Sequence, residues 1–435
     1  MEKRISSFQI ILLAVFGAIG VAAVLIFALA VGGSSSSSTG KVVIWGVFDQ
    51  NTMTTLLRKE ADADNRFSQV TYVQKDPTTY EADLADALAS GSGPDIFIMQ
   101  DDEALADSGK TYEIPYTSLS QSQFKNTFVD AADTYLGTNG VLGVPILIDP
   151  LVLYWNRDEL ASAGVAQPPQ YWDEVPAIAS AITQKSDQGS IQKSAIALGT
   201  YTNIDAAKDI LGLLIMQAGG AVTAQDAAGH FGAALALGGS ASGASQSALR
   251  FYTEFADPTQ PDYTWSQALS DARQAFGSGE LAMYIGYASE EPLIRATNPN
   301  LNFAAAPIPQ VRSSKTNLDE GRVYALSIPK NSQNPQGALT IAFLLGSSVG
   351  IGTDFSTAFG IPSARRDVIA TPVQGDQALF DKMALITRTW VDPDPTQTSS
   401  IFQAMIEGTE SGASSVSDAI QRANQQIGQL FSQPQ

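Results

Sequence analysis

The 435-residue sequence contains no cysteine and a single histidine. Without thiols there is no disulfide, no thiolate nucleophile, no cysteine-ligated metal and no N-terminal cysteine to carry a lipid anchor. One histidine leaves a Ser-His-Asp triad or a His-rich zinc site with one candidate base. That residue, His230, lies in Asp226-Ala-Ala-Gly-His230, which reads as a polar loop tip. Positive charge is also scarce: 25 Lys and Arg stand against 44 Asp and Glu. Nucleic acids and anionic membrane surfaces require clustered Lys and Arg, so neither is an expected partner. No G-x-x-x-x-G-K-[ST] phosphate loop occurs, which excludes a P-loop ATPase. What is present is a 44% hydrophobic chain, long enough for two or more packed domains.

One long apolar run exists, from Phe8 to Val31, preceded by Lys3 and Arg4. It exceeds the ~20 residues a helix needs to cross the hydrocarbon core. The positive flank stays cytoplasmic and sends the remainder outside. Residues 1–33 are therefore expected as a membrane anchor or signal segment. Ala28-Leu-Ala30 offers a signal-peptidase site, but the run is longer than a usual signal core, which favours an uncleaved anchor. Residues 34–40, with Ser34 to Ser38 and Gly40, read as a flexible tether. After Gly40 no second apolar stretch is long enough to span. The expected location is the extracytoplasmic face of the membrane.

The folded part opens with strand, helix, strand, helix, strand: 41–45, 51–63, 70–73, 80–90 and 95–99. That order implies a parallel sheet with crossover helices. Further buried strands are expected at 143–148, 151–155, 195–198, 281–285, 303–308 and 323–328. Helices fit at 171–184, 205–218, 245–256, 266–276 and 335–345, with a helical pattern over 400–431. The Ala/Gly/Ser-rich stretch 232–245 reads as an exposed connector.

Seven landmarks then fall in a particular order. They are Lys41-Val-Val-Ile-Trp45 with Asp49 just beyond, Gly93-Pro-Asp-Ile-Phe97, and Val144-Pro-Ile-Leu-Ile-Asp-Pro150 running on to Asp158. Tyr171-Trp-Asp-Glu-Val175, Ala248-Leu-Arg-Phe-Tyr-Thr253, Phe276-Gly-Ser-Gly-Glu-Leu-Ala-Met283 and Gly360-Ile-Pro-Ser-Ala-Arg365 follow. Together, over 41–435, they resemble the extracellular solute-binding proteins of the sugar-binding type, the maltose-binding protein family. The resemblance implies a periplasmic-binding-protein-like fold, two α/β lobes with a ligand cleft at the hinge; the N-terminal transmembrane helix expected from the apolar run departs from the family, replacing its usual lipid-bearing Cys or cleaved signal. Lobe I would comprise 41–148 and 306–347, and lobe II 149–305 and 348–435. It also implies a monomer that feeds an ABC permease and its ATPase subunits, with no catalytic residue, cofactor or metal. Around Thr200 to Asp205 the sequence departs from the aromatic and acidic set of maltose-type proteins, which leaves the ligand open.

Open α/β sheets bind ligands at the carboxyl ends of strands. Asp49, Gln100, Asp101, Tyr201, Asn203, Tyr287 and Glu290 follow expected strands, Asp149 sits in the first crossing, and Trp390 lies in a polar, Pro-rich stretch. Carboxylates, amides and aromatic faces suit sugars, and they suit polyamines second. Several of these residues also have plainer readings. Asp102 with Glu103 reads as a solvated helix start, Asp149 as a turn residue before Pro150, and Glu290 as a helix opener. Trp45 reads as core and Asp95 as a turn brace. Two rival functions are a carbohydrate-cleaving enzyme using a carboxylate pair and a sensory binding protein presenting its ligand to a receptor.

Overall fold

A computed structural model describes residues 39–237 and 240–432. The expected anchor 1–33 and the serine run of the tether lie outside the described residues. Among the described residues no single helix is long and apolar enough to cross a membrane.

The first unit follows the expected order: β1 (Val42–Gly46), α1 (Gln50–Ala63), β2 (Val70–Gln74), α2 (Tyr80–Ser90) and β3 (Ile96–Gln100). β1 pairs in parallel with both β2 and β3. Asp49 starts α1 by accepting from the Thr52 amide at 2.8 Å and its hydroxyl at 2.7 Å. Asp95 braces two segments, accepting from the Val43 amide and from Ser332 and Asn334. Trp45 is half-buried, with the Lys75 ammonium 3.7 Å from the centre of its ring.

The two strands expected at 143–148 and 151–155 are one strand, β4 (Val144–Asn156). It continues through Asp149 and Pro150, so Asp149 is not in a turn. The following strands are β5 (Ile191–Ile196), β6 (Leu281–Tyr287), β7 (Phe303–Ala306) and β8 (Asp319–Ser327). The first half of β4 pairs antiparallel with β8, and the second half with β6 and β7. Pro150 sits where the strand changes partners, a place where a missing N–H donor costs little. The opposing Gly321 has no room for a side chain: a Cβ there would lie 2.5 Å from the Asp149 carbonyl oxygen. The result is one ten-stranded sheet: eight strands in the order β2-β1-β3-β8-β4-β6-β5 and then Gln184–Lys185, with β7 paired to β4 and Thr387–Arg388 paired to β8 off that path. β4 and β8 form its middle. Tyr135 fastens that middle, donating its buried hydroxyl to the Met99 and Val323 carbonyls, each at 2.8 Å.

Three helical expectations change. Residues 266–271 are not helical; the helix there is Ala272–Ser278, started by Asp271. The Asn203 amide holds the Ser266 and Leu269 carbonyls, which fixes that segment as a loop. The 400–431 pattern is two helices, Pro395–Glu410 and Val416–Leu430, separated at Gly412 with φ 70°. The 232–245 connector is shorter than expected, because Phe231–Ala233 pairs with Thr223–Gln225 and a helix runs Ser240–Glu254. His230 lies exposed in the turn of that hairpin.

Candidate ligand cleft

Four segments converge at the carboxyl end of β3. The turn Asp101–Glu103 brings its acids, and the start of β8 brings Glu320, Gly321 and Arg322. The helix α3 (Ala207–Gln217) brings Lys208 and Asp209, and an extended stretch brings Thr389 and Trp390. With Gln100, all of these residues except Glu103 line a narrow cavity. Thr389 and Trp390 also line a larger groove of about 1450 Å³. Gln121, Lys125, Asp133 and Leu136 form one wall of that groove, and Met216, Val222, Thr223 and Phe231 the other.

The cavity is built of paired charges. Lys208 donates to Asp392 at 2.7 Å, and its ammonium lies 5.3 Å from the centre of the Trp390 ring. Burial opposes the Lys208 charge, but Asp392, Asp102 and Asp209 outweigh it and raise its pKa. The Arg322 guanidinium lies over the Tyr287 ring at 3.9 Å and pairs with Asp209 at 3.6 Å. The Tyr287 hydroxyl donates to the same Asp209 carboxylate. Gln100 donates to Asp102 at 2.8 Å. Trp390 donates its indole N–H to Glu320 Oε1 at 3.1 Å and stacks on Phe402.

Two acids lack a matching cation. Asp101 accepts from the Val323 amide at 2.7 Å, yet burial and then the charge of Asp102 push its pKa well up. Burial and then Asp209 do the same to Glu320, whose Oε2 is buried without a hydrogen-bond partner. When protonated, Asp101 and Glu320 each add a donor to a wall of acceptors. That mixture matches hydroxyl groups, each of which donates and accepts.

Of the nine residues singled out in the sequence, Gln100, Asp101 and Trp390 line the cavity. Tyr287 stands behind it, holding Asp209 and Arg322. The other five lie outside its lining. Asp49 caps α1. Asp149 is buried in β4 and accepts from the Ser289 amide at 2.9 Å. Tyr201 is half-buried. Asn203 accepts from Thr200 and Trp265 as well as holding the 266–269 loop. Glu290 accepts from the Tyr284 hydroxyl and the Tyr287 amide, closing its own turn. Sequence reasoning passed over Lys208, Asp209, Glu320, Arg322 and Thr389. The signal for the first four was charge placed in Ala207–Gln217 and Asp319–Ser327, and Thr389 carried none.

The model of the family described as bacterial extracellular solute-binding protein matches residues 55–349. Among solved structures, a cyclic α-maltosyl-1,6-maltose binding protein from Arthrobacter globiformis superposes with a TM-score of 0.73 at 17% identity, over 90% of this chain and 98% of that one. The sugar-binding protein MalE from Xanthomonas citri gives 0.72 at 18%, over 90% and 97%. An ABC transporter solute-binding protein from Thermotoga lettingae, bound with α-D-tagatose, gives 0.68 at 21%, over 91% and 100%. These likenesses establish a periplasmic-binding-protein-like α/β fold with a curled sheet. With the family model covering more than half of its length, the chain belongs to the bacterial extracellular solute-binding protein family.

Proposed function

We propose that the protein is the extracytoplasmic binding component of an ABC importer, that it captures a sugar or oligosaccharide in the cleft, and that it hands it unaltered to a permease. The observation that carries this reading is Trp390, which lies between the charged cavity and the long groove. A flat aromatic there covers the apolar face of a pyranose, while Gln100, Asp101, Asp102 and Arg322 meet its hydroxyls. The groove leaves room for further sugar units, with Phe231 as a second aromatic on its wall. Structural relatives named for binding maltose-type sugars support the choice of ligand.

The proposed hinge is the pair β4 and β8, with 41–148 and 306–347 in lobe I and 149–305 in lobe II. The segment following 347 divides. Phe359 packs on Phe48 with ring centres 4.7 Å apart, and Asp354 pairs with Lys59 at 2.5 Å. Those contacts support placing the helix Val349–Phe359 with lobe I, and the proposal keeps Pro395–Leu430 with lobe II. The protein acts as a monomer held at the membrane by residues 1–33. A polyamine is the second reading, favoured by the excess of carboxylates around the cavity.

A thermal-shift panel of mono- and oligosaccharides and polyamines separates these readings. A ligand at a hundredfold excess over its dissociation constant stabilises the fold by about 2.7 kcal/mol. The proposal expects a sugar to raise the midpoint and to be recovered intact. A polyamine shift with no sugar shift overturns the ligand assignment, and cleavage of the sugar overturns the binding role.

A further inference from the structure

A second set of acids lies beyond the turn that faces the cavity. Glu103 ends the turn begun by Asp101, Asp107 follows it, and α2 supplies Glu81. One carboxylate oxygen from each of Glu81, Glu103 and Asp107 lies within 4.8 Å of the other two. Asp107 is 1% exposed. Its Oδ1 is held by Lys110 at 2.6 Å, but its Oδ2 is buried with no hydrogen-bond partner. Glu81 Oε2 is orphaned in the same way. Lys110 meets one oxygen of the three carboxyl groups and leaves two buried oxygens without a partner. A buried carboxylate oxygen without a partner is expensive unless its group takes up a proton or a cation.

We propose that Glu81, Glu103 and Asp107 form a divalent-cation site, with calcium as the ion that fits, bracing the Asp101–Glu103 turn against α2. The donors are all carboxylate oxygens, the set that selects hard cations over zinc or copper. The ion takes the orphaned oxygens of Asp107 and Glu81 and one from Glu103. Water completes the shell on the side where Glu81 and Glu103 are half-exposed. The site departs from the sequence expectation of no metal, because Glu81 and Asp107 are brought together only by the packing of α2 on the turn.

Protons compete for the same oxygens. Burial and then Asp107 push Glu81 up to about 7. Burial and then Asp102 push Glu103 up to about 9, with Glu81, Asp107 and Asp392 adding to it. Burial also raises Asp107, against the pull of Lys110. The ion must displace those protons, so its affinity rises with pH.

The test uses the full-length protein, stripped with a chelator and titrated calorimetrically with calcium chloride at pH 8.0 and at pH 5.5. Thermal midpoints are taken alongside. The expected result is one bound equivalent at pH 8.0, a midpoint raised by a few degrees, and binding about tenfold weaker or more at pH 5.5. Glu103→Gln and Asp107→Asn should each weaken calcium by about tenfold or more, since each removes a charged ligand. Glu103 is half-exposed, so its variant decides the matter if Asp107→Asn does not fold. No calcium bound at pH 8.0, or binding unchanged in Glu103→Gln, overturns the proposal in favour of a cluster held by protons and Lys110 alone.

Discussion

Lys208 is a cation inside a helix whose other buried residues, Gln217 apart, are apolar, and its side chain is 11% exposed. Its partner Asp392 is fully buried and also accepts from Thr398. Breaking one side of such a pair leaves the other charge uncompensated, at a cost of about 3–5 kcal/mol. Lys208→Met should therefore lower the unfolding free energy measured in urea by that amount, a far larger effect than the loss of an exposed pair such as Arg312–Asp173. Asp149 gives a pH prediction. Burial, opposed by the Ser289 hydrogen bonds, raises it to about 6 from 3.8. A carboxyl whose pKa rises on folding favours the fold while protonated. Its contribution is therefore intact below pH 3.8 and is lost as pH climbs through about 6. Asp149→Asn keeps an oxygen for the Ser289 amide and cannot ionise. It should stabilise the protein by about 1–3 kcal/mol at pH 7.5 and flatten the stability profile between pH 4 and 7. Gln100 and Asp101 were legible because they follow a recognisable strand. Lys208 was not, because its meaning depends on a partner 184 residues away.

The elements decide how closely the cavity walls approach. Gly212 lies mid-helix in α3, and a Cβ there would stand 2.8 Å from Glu320 Oε2 and 3.3 Å from the Trp390 indole nitrogen. Alanine favours a helix over glycine by about 1 kcal/mol, and the contact it creates falls on a side-chain tip rather than on backbone. Gly212→Ala should thus leave the thermal midpoint nearly unchanged and weaken sugar binding about tenfold through displacement of Glu320 and Trp390, as read by calorimetry. Gly321→Ala meets backbone instead, at the Asp149 carbonyl and Pro150 Cα. It should cost about 1–3 kcal/mol of stability in urea denaturation, because β4 and β8 cannot separate without losing their ladder. The alternation of strand and helix through β3 was readable from local pattern. The continuity of β4 was not, since Asp149-Pro150 carries the composition of a turn and only the change of partner strand makes it extended. The break at Gly412 was hidden by the helical periodicity on both sides of it.

Across the whole molecule, one sheet holds the two proposed lobes together through two central strands, and the cleft opens where those strands leave the shared middle. The order of landmarks along the sequence was enough to anticipate this architecture. The lining of the cavity was only partly anticipated, because Glu320, Arg322 and Lys208 reach it by packing between distant segments rather than by a local motif. The proposed function has Gln121–Gly137 and Met216–Phe231 come together over a bound solute. Small-angle X-ray scattering from the protein with and without a saturating sugar reads that movement most directly. The account predicts a smaller radius of gyration in the bound form, and the contraction should vanish in a Trp390→Ala variant at the same sugar concentration. A sugar that binds tightly and leaves the scattering profile unchanged would contradict it.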